Sequence, residues 1–378
     1  MPATAAPGRF IGHAIAASAV LCSAAAGQSI TVVQPPQGGV GTAVHGISGD
    51  ASTLVGATGF PYVSPFGTSY SATRWSREQG AATDVGAGWY RNTEFYASDF
   101  AGKTLVGSDG VDALRWTPDA GLMTLGRLAG GSLAAAHSAS ASGSVIVGWS
   151  DSSNGRRAVR WTMSGGVESI GTLHGSSYSD ATAVSADGSV IVGRSDSSLG
   201  GTRAFRWDAN SGMQSLGVIQ GKDYSYARGA NADGSVIVGY SGDSLDTNTR
   251  AFRWTPAGGI QDLGTLAGYR SSFAITTNAS GSIIAGWCEG IGTVDAFLWH
   301  DSVGMISLAS HLSSQGLDLS GWSSFQIRSM SADGRYVVGT GRLNGEVRDF
   351  VADIGVIPTP GVALMFGFVG LSRSRRRA

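Results

Sequence analysis

The sequence predicts an all-β fold, a seven-bladed β-propeller-like repeat domain, and three observations support this prediction. Glycine supplies 58 of the 378 residues, about twice its usual share. A short apolar strand that ends in glycine recurs seven times, and a strand with tryptophan three residues after alanine recurs six times. Only 14% of the residues are charged while 42% are hydrophobic, so the chain can bury a large core and is not expected to be disordered.

The first repeated element is the glycine-terminated strand. Its glycines follow one another at intervals of 41 to 53 residues, and most copies come after a turn such as that at residues 186–189. The seven glycines are Gly56, Gly107, Gly148, Gly193, Gly239, Gly286 and Gly339. Continuous apolar residues, as at positions 190–192, are expected in a strand that is buried on both faces.

The second repeated element is the tryptophan strand. The six tryptophans are Trp75, Trp116, Trp161, Trp207, Trp254 and Trp299. Phe350 is assigned to the equivalent position of the seventh copy. Because side chains alternate across a strand, Phe205 and Trp207 share one face and Ala204 lies on the other. We therefore expect the tryptophans to pack between adjacent blades.

Two further segments complete a unit of four strands. One follows the tryptophan after a glycine turn, as at residues 212–217, and the other leads into the next turn, as at residues 181–185. Four antiparallel strands at this period are typical of a propeller blade, whereas the rungs of an open β-solenoid are shorter. An open ring would leave two bare edges, so residues 29–34 are predicted to complete the seventh blade.

Both ends of the chain carry features of export signals, which leaves residues 27–354 for the repeat domain. Residues 1–26 combine Arg9, an apolar run and small residues before Gly27, a pattern typical of a cleaved secretory signal peptide. Residues 355–378 combine a proline pair, an apolar run at 362–371 that is expected to form a short hydrophobic helix, and an arginine cluster.

The C-terminal segment resembles the PEP-CTERM sorting signal, which an exosortase recognises and cleaves. Thr359 stands where the family has glutamate, and the residues that carry the resemblance are Pro358, Pro360, Gly361, Arg375, Arg376 and Arg377. The resemblance implies an exosortase-type processing enzyme as a partner, and a transient anchor in the inner membrane before release or attachment at the cell surface. A retained C-terminal anchor is the alternative.

The repeats resemble those of HAF-repeat extracellular proteins, which are called after a His-Ala-Phe triplet. Here the triplet reads Arg-Ala-Phe at residues 203–205 and 250–252 and Asp-Ala-Phe at 295–297. The trailing aromatic residue, the Gly-x-x-x-Leu-Gly segment and the Asp-Gly-Ser-x-Ile-Val-Gly turn agree with the family. The resemblance implies a secreted repeat scaffold and supplies no catalytic residues.

Charge and composition exclude several classes of function. The formal net charge is −1, so no nucleic acid partner is expected. Only two of the 26 basic residues are lysines, Lys103 and Lys222, which leaves few candidates for lysine-based covalent chemistry. The two cysteines, Cys22 and Cys288, are too few for a disulfide framework or a cysteine-based metal site.

No catalytic residue, metal or cofactor is predicted. The histidines beyond the N-terminal segment occur singly, without the spacing of metal ligands, and are interpreted as ordinary loop or core residues. They are His45, His137, His174, His300 and His311. Aspartate-rich segments at residues 195–198 and 241–246 offer oxygen ligands for calcium, but ordinary polar turns explain them more simply.

Three classes of function remain. The first is a non-enzymatic protein with a structural or adhesive role at the cell surface or in the extracellular matrix, and it is favoured by the export signals and the absence of catalytic motifs. The second is a carbohydrate-binding propeller. The third is a propeller glycosidase or lyase, which requires carboxylates or histidines to converge near the central channel.

Aromatic loops are the predicted binding surface. The residues expected to contact an extracellular polysaccharide or a surface protein are Tyr62, Phe66, Trp89 and Tyr90. Flat aromatic rings can stack on sugars or anchor a protein partner. The tyrosines placed in comparable loops of later units are Tyr178, Tyr224, Tyr226 and Tyr269. The alternative is that these rings only pack their own loops.

Overall fold

The chain forms a closed ring of seven antiparallel sheets, six of four strands and one of five, which confirms the predicted seven-bladed β-propeller. The computed structural model describes residues 21–23, 28–61, 68–85, 92–198, 200–244, 248–355 and 357. Within these ranges there is one helix, α1 (Leu308–Ser314). No helix of the described part is both long enough and apolar enough to cross a membrane.

The strands are numbered along the chain, and the blades follow in order. β1 (Leu21–Ser23) and β2 (Ser29–Val32) precede blade 1, which consists of β3 (Gly41–Ile47), β4 (Thr53–Pro61), β5 (Thr68–Ser76) and β6 (Ala82–Asp84). Blade 2 consists of β7 (Glu94–Ser98), β8 (Leu105–Ser108), β9 (Ala113–Thr117) and β10 (Gly121–Thr124). Blade 3 consists of β11 (Ala134–Ala139), β12 (Val145–Ser152), β13 (Gly155–Thr162) and β14 (Gly166–Gly171).

The remaining blades repeat this pattern. Blade 4 consists of β15 (Ser179–Val184), β16 (Val190–Asp196), β17 (Thr202–Asp208) and β18 (Gly212–Gly217). Blade 5 consists of β19 (Tyr224–Ala230), β20 (Ile237–Gly242), β21 (Arg250–Thr255) and β22 (Gly259–Asp262). Blade 6 consists of β23 (Ser271–Thr277), β24 (Ile283–Glu289), β25 (Val294–His300) and β26 (Gly304–Ser307). Blade 7 consists of β27 (Trp322–Met330), β28 (Tyr336–Leu343) and β29 (Glu346–Asp353) together with β2.

The first strand of every blade is the innermost one. Each of these strands contacts the first strand of the next blade, from β3 and β7 round to β27 and β3, so the seven strands surround a central channel. The glycine-terminated strand is the second strand of its blade and the tryptophan strand is the third. The segment at residues 181–185, expected to close a unit, instead begins the following blade as its innermost strand.

The N-terminal strand closes the ring. β2 pairs with β29 from Ser29 and Asp353 to Val32 and Phe350, which confirms that this strand completes the seventh blade. β1 lies within the segment predicted to be a signal peptide and pairs with β2 at the edge of the same sheet. The N-terminal and C-terminal parts of the described chain are therefore joined in one blade.

A second closure runs through the turns that join the first and second strands. In each turn a backbone N–H donates to a carbonyl oxygen of the neighbouring turn at 2.8 to 3.1 Å, and the bond from Ala332 to Gly49 returns to blade 1. The other donor and acceptor pairs are Asp50–Phe100, Phe100–Ala141, Ala141–Ala186, Ala186–Ala232, Ala232–Ala279 and Ala279–Ala332. This ring of backbone hydrogen bonds fixes the spacing of the innermost strands on one side of the propeller.

The hydrophobic core consists of seven clusters, one for each interface between neighbouring blades. Trp207 packs with Val147 and Ala158 of the preceding blade. Ala204 belongs to the cluster on the opposite face, where it meets Phe252 of the following blade. A bulky face of one sheet thus meets the small face of its neighbour around the ring.

Polar clips supplement the apolar interfaces. Ser179 accepts a hydrogen bond from the Ala158 N–H at 2.8 Å and donates to the Gly171 carbonyl oxygen at 2.6 Å, so it bridges blades 3 and 4. At the junction of blades 7 and 1 the Asp349 carboxylate has this role. It accepts from the Val44 N–H at 3.0 Å and from the Thr42 hydroxyl at 2.8 Å.

The assignment of Phe350 to the tryptophan position was wrong. Phe350 pairs with Gly339, the same pairing that Phe205 makes with Gly193, so Ala352 occupies the tryptophan position in blade 7. The three-residue spacing from alanine was the only guide to register, and Asp349 replaces the alanine in this blade. An aromatic residue two positions away was therefore mistaken for the missing tryptophan.

Replacement of Trp207 by alanine is expected to lower the free energy of unfolding by about 3–5 kcal/mol, because the ring fills a buried interface between blades 3 and 4. Chemical denaturation measures this change. The matched control is Met163→Ala, at a side chain that is 71% exposed, with an expected change of about 0.5 kcal/mol or less. A loss below about 1 kcal/mol for Trp207→Ala would contradict the packing role of the ring.

Candidate functional site

Each innermost strand contains a β-bulge at the same place. In β15, Ala181 pairs with Gly193 and Ala183 pairs with Val192, which leaves Thr182 between them without a partner in the ladder. The seven bulge residues, one from each blade, are His45, Tyr96, His137, Thr182, Arg228, Ile275 and Arg328. A bulge redirects the side chain that it carries.

The glycine of the second strand makes each bulge possible. A Cβ atom on Gly193 would lie 2.0 Å from the carbonyl oxygen of Asp180, and the corresponding distance in the other six blades is 1.8 to 2.0 Å. Real side chains do not approach a backbone oxygen so closely. The glycine that marks every repeat in the sequence is therefore required by the wall of the channel.

The bulge residues converge on one pocket in the central channel. This channel pocket has a volume of about 690 Å³, and all seven bulge residues line it. Neighbouring positions of the first and second strands add charged, amide and aromatic side chains to its wall. These are Asp180, Arg194, Tyr226, Tyr240, Trp287 and Gln326.

His45, Glu94 and Arg328 form one polar group of the site. Arg328 Nη1 lies 3.2 Å from His45 Nδ1, and since arginine only donates, Nδ1 is the acceptor. His45 Nε2 then carries the hydrogen and lies 3.5 Å from Glu94 Oε2, an electrostatic contact longer than an ordinary hydrogen bond. This contact with His45, with a smaller effect of the Arg328 charge, holds the pKa of the Glu94 carboxyl below its usual value.

His137, Asp180 and Arg194 form the second polar group. His137 Nδ1 donates to the Ala181 carbonyl oxygen at 3.0 Å and lies 3.3 Å from Asp180 Oδ1. Arg194 Nη2 lies 3.5 Å from Asp180 Oδ2 and donates to the Tyr178 hydroxyl at 2.8 Å. Burial alone would raise the pKa of Asp180, but the interactions with His137 and Arg194 outweigh it and lower that pKa.

Tyr96 lies between the two polar groups. Its ring contacts those of His45 and His137 edge to face, with centroids 5.5 and 5.9 Å away. Burial, reinforced by the Glu94 charge, raises the pKa of the Tyr96 phenol to about 12. The phenol therefore stays protonated at neutral pH and can donate a hydrogen bond to a molecule in the pocket.

A row of aromatic rings forms the other side of the site. Tyr226, Tyr240, Phe273 and Trp287 follow one another with centroid distances of 5.3, 5.1 and 5.7 Å. Tyr226 also has the Arg194 guanidinium 5.1 Å from its ring centroid. The pocket thus combines apolar ring surface with cations and hydrogen-bond donors, an arrangement suited to binding an oriented polar ligand.

The channel pocket was missed by sequence analysis. His45 and His137, interpreted as ordinary loop or core residues, are brought together with Glu94 and Asp180 around the channel. Tyr226, expected in a loop, lies in β19 and lines the pocket. One sequence signal could have found the ring, because every bulge residue comes three positions before the Ser, Asp or Asn that starts the following turn.

The other predicted site residues fall into two groups. Those of the aromatic loops, Tyr62, Phe66, Trp89 and Tyr90, and those of the sorting signal, Pro358, Pro360, Gly361, Arg375, Arg376 and Arg377, lie outside the described residues. Of the repeated tryptophans, Trp116 and Trp254 are half-buried and the other four are buried. Across the described ranges, no group of three or more His, Cys, Asp or Glu side chains is placed to hold a metal ion.

Comparison with known proteins identifies the fold and no family. No family model and no curated protein matches the chain. It is similar to the structure of an oligogalacturonate lyase in complex with manganese, with 13% identity and a TM-score of 0.59 over 89% of this chain and 96% of that one. An oligogalacturonate lyase from Vibrio parahaemolyticus has 12% identity and the same TM-score and coverage.

A second kind of similar structure comes from a study of two prolyl endopeptidases. This match has 10% identity and a TM-score of 0.53, and it covers 87% of this chain and 50% of that one. At such identities the likeness shows the propeller fold alone.

Replacement of Gly193 by alanine is expected to lower the free energy of unfolding by about 1–3 kcal/mol, because the new Cβ would meet the Asp180 carbonyl oxygen. Chemical denaturation measures the loss. Gly41→Ala is the matched control, since a Cβ at this other strand glycine would have nothing within 4 Å. Equal effects of the two substitutions would show that the close approach is not what requires glycine.

The raised pKa of Tyr96 predicts a loss of stability in alkali. The unfolded chain releases the phenol proton at about pH 10, whereas the native protein keeps it until its pKa of about 12. The native state then binds more protons, so the free energy of unfolding falls as pH rises through this window. Urea denaturation measures the free energy of unfolding of wild type and of Tyr96→Phe at a series of pH values. Above about pH 10 wild type should lose more of this free energy than Tyr96→Phe, which has no phenol proton to release. A constant difference between the two proteins would refute the shift.

Proposed function

We propose that this chain is an exported, non-enzymatic bacterial repeat protein that binds an extracellular ligand in its channel pocket. The observation that carries the proposal is the convergence of seven bulge residues, one from each blade, on a single pocket of about 690 Å³. Six of the seven bulge side chains are polar or aromatic, and Ile275 is the exception. Packing of the strands alone does not require polar or aromatic side chains at these positions. Their common orientation is explained if a ligand is their partner.

The proposed location rests on the two chain ends and on the repeats. The resemblances of residues 355–378 to a PEP-CTERM signal and of the repeats to HAF-repeat proteins support secretion, processing by an exosortase-type enzyme, and a cell-surface or extracellular site of action. A structural or adhesive role follows from binding a surface polymer or protein there. The aromatic loop residues Tyr62, Phe66, Trp89 and Tyr90 remain a second proposed contact with the same partner.

One observation favours an enzymatic alternative. Asp180 lies beside His137 Nδ1, which leaves Nε2 of that ring without a partner among the described residues. A histidine oriented by a carboxylate is the arrangement of many general bases. On this alternative, turnover of a glycan is abolished by His137→Gln, whereas the non-enzymatic proposal expects binding without turnover.

The substitution Thr182→Trp tests the proposed function. It places a large ring in the channel pocket from a bulge position, so it should obstruct any ligand that binds there. A glycan array and extracts of surface polymer from the producing cells provide ligands. We expect binding to fall by at least about tenfold, equivalent to about 1.4 kcal/mol.

The matched control is Met163→Trp, which adds the same ring at a site that is 71% exposed. Thermal denaturation of both variants shows whether the fold survives, and the comparison uses only variants that retain the wild-type transition. Undiminished binding by a folded Thr182→Trp protein would contradict the channel pocket as the ligand site. In that case loss of binding in Trp89→Ala/Tyr90→Ala would place the ligand on the aromatic loops.

A further inference from the structure

We infer that the channel pocket takes an acidic saccharide, a sugar that carries a carboxylate, and that Arg228 is the residue that pairs with this carboxylate. The inference rests on the proposed function, since it names the class of ligand for the same pocket. It depends on the net positive charge of the pocket, on the lack of a hydrogen-bond or ion-pair partner for Arg228 among the described residues, and on the aromatic rings beside Arg228.

The charge balance of the pocket is positive. Its wall contains Arg194, Arg228 and Arg328, and Asp180 is the carboxylate among the lining residues. Glu94 adds one further negative charge behind His45. Three cations therefore face two anions, in a protein whose formal net charge is −1. The excess of one positive charge favours ligands that carry a negative charge.

Two of the three arginines are already engaged. Arg194 contacts the Asp180 carboxylate and the Tyr178 hydroxyl. Arg328 donates from Nη1 to His45 Nδ1 and from Nε to Thr340 Oγ1, both at 3.2 Å. These contacts fix each guanidinium in the wall of the channel.

Arg228 differs from Arg194 and Arg328 because its guanidinium is not engaged by the described part of the protein. It is the exposed residue of β19, and it has no hydrogen-bond or ion-pair partner among the described residues. The flanking bulge positions hold Thr182 and Ile275, which carry no charge to neutralise it. A guanidinium presents a planar pair of donors that matches the two oxygens of a carboxylate.

The bulge of β19 aims this side chain at the channel. Ala227 pairs with Gly239 and Gly229 pairs with Val238, so Arg228 stands out of the ladder. The Thr182 hydroxyl donates to the Ala227 carbonyl oxygen at 2.8 Å, which ties the bulge to the neighbouring blade. The backbone under Arg228 is thus held in place before any ligand arrives, and less ordering is required on binding.

The same side of the pocket offers the surface that a sugar ring needs. Tyr240 and Trp287 line the pocket, and each is braced by the ring of Phe273, at 5.1 and 5.7 Å. Aromatic rings bind the apolar faces of sugars while hydrogen-bonding groups such as Gln326 meet the hydroxyls. A simple inorganic anion would use the arginine and leave this surface empty, whereas a uronate uses both.

The test measures binding of uronate oligosaccharides by calorimetry. The probes are trimers of galacturonate, glucuronate and mannuronate, and the matched ligand controls are their methyl esters, which keep the rings and remove the charge. We expect wild type to bind at least one acid about tenfold or more tightly than its ester. Arg228→Gln should lose this preference, while Arg228→Lys should keep part of it because it retains the charge without the fork geometry.

The outcomes separate this inference from the proposed function. Since Arg228 is exposed and without a protein partner, both of its variants should unfold at the wild-type temperature. If wild type binds acid and ester equally or binds neither, or if Arg228→Gln keeps the preference for acid, the inference is wrong. The proposed function stands or falls separately, by whether Thr182→Trp abolishes binding of the array or surface-polymer ligands.

Discussion

The structure depends on one close approach that is repeated seven times. In every blade the glycine of the second strand lies so near the backbone of the innermost strand that a Cβ would stand 1.8 to 2.0 Å from a carbonyl oxygen. This contact allows the innermost strand to bulge, and the bulge turns one side chain per blade toward the axis. The same glycine therefore serves both the packing of the blade and the lining of the channel.

Around this element the ring is closed in three independent ways. β2 covers the edge of β29, the turns between first and second strands form a continuous ring of backbone hydrogen bonds, and Asp349 replaces the usual serine clip between blades 7 and 1. Because the closing contacts join residues some 300 positions apart, they depend on all intervening blades being in place. A rigid ring is a suitable support for a site whose side chains come from seven separate strands.

The chemistry of the channel pocket arises because the seven blades share one backbone conformation at the bulge but carry different side chains there. The backbone repeats, but the redirected side chains range from Ile275 to Arg228, and their neighbours divide the pocket into a polar side and an aromatic side. Within the polar side, the two histidines differ in protonation of Nδ1. His45 Nδ1 carries no hydrogen because it accepts from Arg328, whereas His137 Nδ1 carries one and donates it to a carbonyl oxygen. The same backbone frame therefore accommodates several different side chains at the bulge positions.

The sequence was enough to predict the number of blades and the strand that closes the ring, because glycine, tryptophan and turn residues satisfy local requirements that recur with each blade, but it placed the innermost strand at the end of the preceding unit. It misplaced Phe350, since no alanine marked the register there. Which residues meet in the channel follows from the arrangement of the blades around the axis. His45, Tyr96, His137 and Arg228 are each separated by more than 40 residues. Their common distance from the following turn marks them as equivalent positions of the repeats, but the contact between these positions arises only when seven strands are arranged around one axis.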